Sequence, residues 1–181
     1  MNESGTVTLK TERLILRRFS LDDAPDMYNN WASDDEVTKY LVWPTHSDIE
    51  VSRRVIEIWL AGYDDPKQYI WCLEDRERHE AVGSIGVVER NPANQALEIG
   101  YCLSRACWGK GLMSEALAAA ASFLFTQVRA VRLEARVDQR NLKSQSVLKK
   151  CGFIFDREMA GGGLNNLGPY DAWIYRLNND F

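Results

Sequence analysis

A chain of 181 residues is long enough to bury a real core and fits a single domain spanning 1–181. Its hydrophobic share of 45% and charged share of 27% are those of an ordinary globular fold. A net charge of −4 gives no general attraction to nucleic acid or to an anionic membrane, so neither is expected as a direct partner.

In chain order, Thr8 to Phe19 reads as a strand, with Leu14 and Leu16 set against Arg13, Arg17 and Arg18. Ser20 then caps a helix, with Asp23 in its first turn and Leu21, Ala24, Tyr28 and Trp31 at helical spacing. Ser47-Asp48-Ile49-Glu50 reads as a capping box, ahead of a helix expected to bury Val51, Val55, Ile58 and Trp59. Between the two helices, Trp43-Pro44-Thr45-His46 forms a loop, where a packed Trp in a turn is weighed against an exposed Trp and His. Trp31, Trp59 and Trp71 are expected to pack in or beside the core.

Three segments of strand character follow, Gln68 to Glu74, Ala81 to Glu89 and Ala96 to Ser104. Gly111 to Val128 is the longest helix signal, with Met113, Ala116, Leu117, Ala120 and Leu124 on one face. Strict alternation returns at Val131, Leu133, Ala135 and Val137. A short helix from about Leu142 to Cys151 stops at Gly152, a residue suited to the left-handed position past a helix end. Phe153 to Glu158 and Tyr170 to Leu177 read as the last two strands. The glycine-rich segment from Ala160 to Pro169 between them is expected to be a mobile loop, with Leu164 and Leu167 available to cover a bound molecule. The order gives an α/β fold with one central mixed sheet of about seven strands, helices on both faces, and one strand-helix-strand crossover that makes its two strands parallel.

No pair among Cys72, Cys102, Cys107 and Cys151 has C-x-x-C spacing, and only His46 and His79 are at hand, so no metal site is expected and the cysteines read as small core residues. The amino terminus has no basic flank leading into an apolar run, and no apolar stretch is long enough to cross a bilayer; the expectation is a cytoplasmic protein, as a monomer or homodimer.

The segment that carries chemistry is Glu98-Ile99-Gly100-Tyr101-Cys102-Leu103 followed by Trp108-Gly109-Lys110-Gly111-Leu112-Met113-Ser114-Glu115. A strand runs into a Gly-x-Gly turn that opens a helix. Glycines admit a ligand close to the backbone, and the first amides of the helix carry partial positive charge, which suits a pyrophosphate. A tight turn with no ligand remains the plain alternative. A dinucleotide fold would want a third glycine at Ser114, and a P-loop would want Ser or Thr in place of Gly111.

These residues resemble the acetyl-CoA motif of the GNAT superfamily of N-acetyltransferases in its RimJ/RimL-like form, the branch that acetylates ribosomal-protein amino termini. A second block, Asn141-Leu142-Lys143-Ser144 with Val147-Leu148-Lys149-Lys150-Cys151-Gly152-Phe153, is similar to that family's N-x-x-S…V-L-x-K-x-G-F. The opening Thr11-Glu12-Arg13-Leu14-Ile15-Leu16-Arg17 and the closing Asp171-Ala172-Trp173-Ile174-Tyr175 fit as well, so the resemblance spans nearly the whole chain.

The resemblance implies that acetyl-CoA lies as co-substrate between two splayed parallel strands, with its pantetheine arm against the backbone near Leu103. Its pyrophosphate would rest on the amides of Trp108, Gly109, Lys110, Gly111, Leu112 and Met113, and Asn141 and Ser144 would contact the pantetheine arm or thioester end. Two positions depart from the family. Ala106, beside Arg105, stands where Gln or Arg is common, and Leu148 stands where many members have a tyrosine acid. Ser144 is then the candidate proton donor to the leaving thiolate. Glu98 is the candidate base, which shares a strand face with Gly100 and Cys102; a salt-bridged strand residue is its alternative reading. The acceptor is an amine, either a protein N-terminus or a small molecule such as a polyamine, aminoglycoside or amino acid. A non-catalytic acetyl-CoA-binding module is the third possibility.

Overall fold

The structure is a computed structural model that describes residues 1–91 and 95–179. Among the described residues eight strands form one sheet, ordered β1-β2-β3-β4-β5-β6-β8-β7. Strands β1 (Leu9–Lys10) and β2 (Leu14–Arg17) form a hairpin where one strand was expected. The break is chemical. The Thr11 amide donates to the Leu14 carbonyl at 2.9 Å, and the Leu14 amide donates back to the Thr11 hydroxyl at 2.9 Å, which turns the chain at Thr11-Glu12-Arg13.

A 3-10 turn (Leu21–Asp23), α1 (Ala24–Met27) and a π turn (Tyr28–Ala32) follow as one winding segment. It begins as expected, the Asp23 carboxylate accepting the Ser20 amide at 2.7 Å. A short α2 (Asp35–Thr38) comes next, capped by Asp34. The helix α3 (Ile49–Gly62) starts one residue later than the capping-box reading, because Asp48 and not Ser47 takes the cap, accepting from Val51 N. Its inward residues are Ser52 and Ile56, flanked by half-buried Val51, Val55 and Trp59. Ile58 falls on the far side and is 70% exposed, against expectation.

Strands β3 (Ile70–Asp75), β4 (Glu80–Asn91) and β5 (Ala96–Leu103) form an antiparallel run. The helix α4 (Leu112–Thr126) then crosses to β6 (Arg132–Asp138), which pairs parallel with β5. Alternation along each strand sends one set of side chains to each face. Leu97, Ile99 and Leu133 join Trp71, Phe123 and the buried face of α4 in the larger core cluster, in which Trp71 and Phe123 meet edge to face at 5.8 Å. Cys72, Ala81 and Cys102 meet Phe19, Trp31 and Ile56 in a second cluster on the opposite face, under α1 to α3. All four cysteines are free, and three of them are core residues, as the sequence suggests.

The chain ends with α5 (Leu142–Lys150), β7 (Ile154–Asn165) and β8 (Gly168–Asn178). Here the expected loop from 160 to 169 is overturned, because the segment is a continuous hairpin with only Asn166-Leu167 at its tip. Its glycines do another job. The register shifts between Met159 and Gly163, and the intervening residues bulge outward, with Gly161 at φ 60° and its amide donating to Asp171 Oδ1 at 2.7 Å. The tip is anchored. Asn165 is buried and donates to Asp138 Oδ2 at 2.8 Å, while Asn166 Nδ2 donates to the carbonyls of Thr38 at 2.9 Å and Trp43 at 2.8 Å.

Candidate active site

The parallel pairing of β5 with β6 covers three rungs, Ala96 with Arg132, Leu97 with Leu133 and Glu98 with Glu134, and then stops. Beyond Glu98, β5 stays with β4 as far as Leu103, and β6 stays with β8 as far as Asp138. The sheet therefore forks, and the facing edges past the fork keep amide and carbonyl groups that neither strand satisfies on the other. A cavity of about 480 Å³ opens there. It is walled by Tyr101, Cys102 and Leu103 of β5, by Cys107 to Gly109 and Gly111 to Met113 of the turn, by Arg140 to Ser144 with Val147 and Lys150 of α5, and by residues from Glu36 to Leu41 around α2.

The turn is built as its glycines predict. Gly109 has φ 74° and Gly111 has φ 79°, the left-handed region that glycine enters without penalty. Gly111 is the N-cap residue of α4 and has no side chain with which to cap it, so the first amides of the helix remain available to an anion. Trp108, Gly109, Gly111, Leu112 and Met113 all line the cavity. Lys110 does not: it is exposed, and its carbonyl accepts from Arg13 Nη1 at 2.8 Å. Arg13 also donates through Nε to Glu115 at 2.7 Å, and its amide donates to Glu115 Oε1 at 2.8 Å. The turn before β2 is thus tied to the first turn of α4, a clamp that sequence reading missed, although both residues lay in the quoted motifs.

Asn141 caps α5, its Oδ1 accepting from the Ser144 amide at 3.2 Å. The cap turns the Ser144 hydroxyl toward β5, where it is 2.9 Å from the Tyr101 hydroxyl. Ser144 therefore serves the cap through its amide and the cavity through its side chain. Tyr101 is a site residue the candidate set lacked. Burial pushes its phenol well up, with the Ser144 hydrogen bond opposing, so it keeps its proton. Leu148 is fully buried in the core, so no proton donor stands at that position.

Leu103 also lines the cavity, and its carbonyl accepts from the Trp108 indole at 2.8 Å. Lys143 lies over the Trp108 ring, 3.8 Å from its centroid. Arg105 points elsewhere, pairing with Asp34 at 2.9 Å.

Glu98 is not part of the cavity wall. It sits on the last parallel rung, at the fork, with its side chain 20% exposed and paired to Arg136 Nη2 at 3.0 Å. Burial pushes its carboxyl up, and the Arg136 charge and hydrogen bond pull against that. Arg136 also reaches Glu89 at 3.4 Å and the Gly162 carbonyl at 3.3 Å. Alternation puts Glu98 on the α1–α3 face with Cys102, whereas Tyr101 packs toward the α4–α5 face. The candidate base and the Ser144–Tyr101 pair thus approach the fork from opposite sides of the sheet.

His46 is not the exposed residue weighed from sequence. It is buried, its Nδ1 lies 2.8 Å from the Ser52 hydroxyl, and burial pulls its pKa down, which favours the neutral ring. Trp43 packs on it, with ring centroids 5.1 Å apart.

The family model described as an acetyltransferase (GNAT) domain matches residues 13–154. The chain is 35% identical over 175 residues to an uncharacterized N-acetyltransferase, p20, of Bacillus licheniformis, covering 94% of this chain and 95% of that protein. Among solved structures, RimL, the ribosomal L7/L12 alpha-N-protein acetyltransferase in complex with coenzyme A, superposes with a TM-score of 0.85 at 19% identity, covering 96% of this chain and 99% of that one. The microcin C7 self immunity acetyltransferase MccE, in complex with acetyl-CoA and AMP, superposes with a TM-score of 0.82 at 21% identity over 93% of each chain.

Proposed function

The chain belongs to the acetyltransferase (GNAT) family, and from that membership and the forked groove we propose that it transfers the acetyl group of acetyl-CoA to a primary amine, most consistently a protein N-terminal α-amino group. The observation that carries the donor half is the combination of the fork with the uncapped Gly109–Gly111 turn. An extended ligand bearing amides and a pyrophosphate matches the open strand edges at one end and the helix amides at the other. A fold shared with RimL supports the acceptor half. So does the lower demand on a base, since an α-amino group has a pKa of about 8 against about 10.4 for lysine.

In this reading Glu98 takes the proton of the incoming ammonium, directly or through one water, from the α1–α3 face. The freed amine nitrogen attacks the thioester carbonyl, the carbon–sulfur bond breaks, and the sulfur leaves as thiolate toward Ser144; that thiolate takes up the second proton the nitrogen sheds on becoming an amide, so coenzyme A departs as the free thiol, and the proton held by Glu98 passes to water. The Ser144 hydroxyl donates a hydrogen bond to that sulfur and accepts one from Tyr101. Because burial keeps the Tyr101 proton in place, the pair stabilises the thiolate by hydrogen bonding more than by giving its proton away. Arg136 positions Glu98 across the fork.

The test is release of free thiol from acetyl-CoA with a panel of amines. Peptides with free ribosomal-protein N-termini form one arm, and polyamines, aminoglycosides and amino acids form the other. Turnover confined to the second arm would overturn the protein acceptor. No turnover in either arm, with acetyl-CoA still bound, would leave a binding module.

A further inference from the structure

Lys150 lies in the quoted V-L-x-K-x-G-F block, and nothing above gives it a role. It lines the groove, which its neighbour Lys149 does not, and both lysines border a second depression along α5 with Gln145 and Ser146. No ion pair to Lys150 is found among the described residues. The end of α5 is fixed in place, because the Cys151 thiol donates to the Ser114 carbonyl of α4 at 3.3 Å. Lys150 is therefore one residue from a contact with the first turn of α4.

The other groove lysine of α5 stands at the opposite end. Lys143 is seven residues earlier, about 10 Å along the helix axis at about 1.5 Å per residue, and its ammonium is on the Trp108 ring. Coenzyme A carries a third phosphate group, on the ribose 3′ carbon, one sugar ring away from its pyrophosphate. With the pyrophosphate on the amides of Gly109 to Met113, that dianion must lie within a ribose's reach of the same turn; of the groove-lining cations, Lys143 is engaged on the Trp108 ring, and Lys150 is the one next to the α5 contact with the first turn of α4.

We propose that Lys150 binds the 3′-phosphate of coenzyme A and so selects it over the 3′-dephospho form. This rests on the donor reading above. A plainer role exists, since lysines in a last helical turn offset the helix dipole. Lys149 occupies the same turn without facing the groove, so it serves as the matched control.

The experiment is calorimetric titration of the unmodified protein, Lys150→Gln and Lys149→Gln with coenzyme A and with 3′-dephospho-coenzyme A. The unmodified protein should favour coenzyme A by on the order of tenfold, as for one partly solvated charge-assisted contact. Lys150→Gln should bring that ratio close to one by weakening coenzyme A alone, while Lys149→Gln should keep it. Equal affinities in the unmodified protein, an equal loss for both ligands in Lys150→Gln, or the same collapse in Lys149→Gln would each overturn the assignment. Failure of the unmodified protein to bind either ligand would overturn the donor reading, and this inference with it.

Discussion

Gly109 and Gly161 form a matched pair that separates backbone strain from ligand approach. Both have positive φ, 74° and 60°, and an added Cβ at either would meet nothing within 4 Å. Alanine at each site should therefore carry the same penalty, that of an L residue held in the left-handed region, about 1–2 kcal/mol. For a chain of this size that lowers Tm by roughly 2–4 °C per kcal/mol. The two sites differ in where the methyl group stands. At Gly161 it enters the outward bulge of β7, and at Gly109 it stands in the wall of the groove. If the turn carries the pyrophosphate, Gly109→Ala holds the anion off the α4 amides and removes one charge-assisted hydrogen bond or more, about 1.5–3 kcal/mol. Acetyl-CoA affinity should then fall by about 10- to 100-fold, while Gly161→Ala binds as the unmodified protein does. Urea denaturation and calorimetric titration read the two effects separately. Equal acetyl-CoA affinity in the two variants would refute the anion cradle, and unequal stability losses would refute the assumption that backbone strain alone sets the cost.

Glu98→Gln should lower kcat on the order of 10²-fold or more. A base must be ionised to act, and burial raises the Glu98 pKa, so the acidic limb of kcat/KM should lie above the ordinary glutamate value of about 4.3. Activity should be lost as pH falls through that raised value. Arg136→Gln should move the limb to still higher pH, because Arg136 opposes the rise; an unmoved limb would remove Glu98 from the mechanism. Ser144→Ala should lower kcat by less than Glu98→Gln, and Tyr101→Phe by less again, since water can solvate the thiolate; a change confined to the acetyl-CoA KM would make Ser144 a binding residue. Asn166→Ala removes both hydrogen bonds from the hairpin tip to the 38–43 segment, about 1–3 kcal/mol in total. It should alter acceptor KM and leave acetyl-CoA affinity unchanged, and an unaltered acceptor KM with the true substrate would refute a role for the tip.

Local chemistry wrote several parts of this protein into short stretches of sequence. The apolar stripe of α4 recurs at helical spacing from Met113 to Leu124, and all five of its side chains are buried, with Leu112, Ala121, Phe123 and Phe125 buried beside them. Gly109, Gly111 and Gly152 each occupy a left-handed position that a turn or helix end requires, and Asn141 caps the helix it precedes. Each pattern closes within about ten residues, so neighbouring residues suffice to read it.

The rest depended on which strands the sheet set side by side. Arg13 reaches Glu115 across 102 positions, Tyr101 meets Ser144 across 43, and Glu98 pairs with Arg136 across 38. None of these contacts has a sequence period to reveal it. Glu98 in particular was legible as a strand carboxylate, but its pairing with Arg136 follows from the β5–β6 register, in which Glu98 stands opposite Glu134. The glycines from 161 to 163 show the converse error. Their own backbone freedom argues for a loop, and in isolation that entropy would prevail. Pairing with β8 on one side and the anchoring of Asn165 and Asn166 on the other outweigh it, so the segment is strand to within two residues of its tip. Conformational preference is a property of neighbouring residues, whereas register and ion pairing belong to the sheet, and only the folded chain brings those partners together.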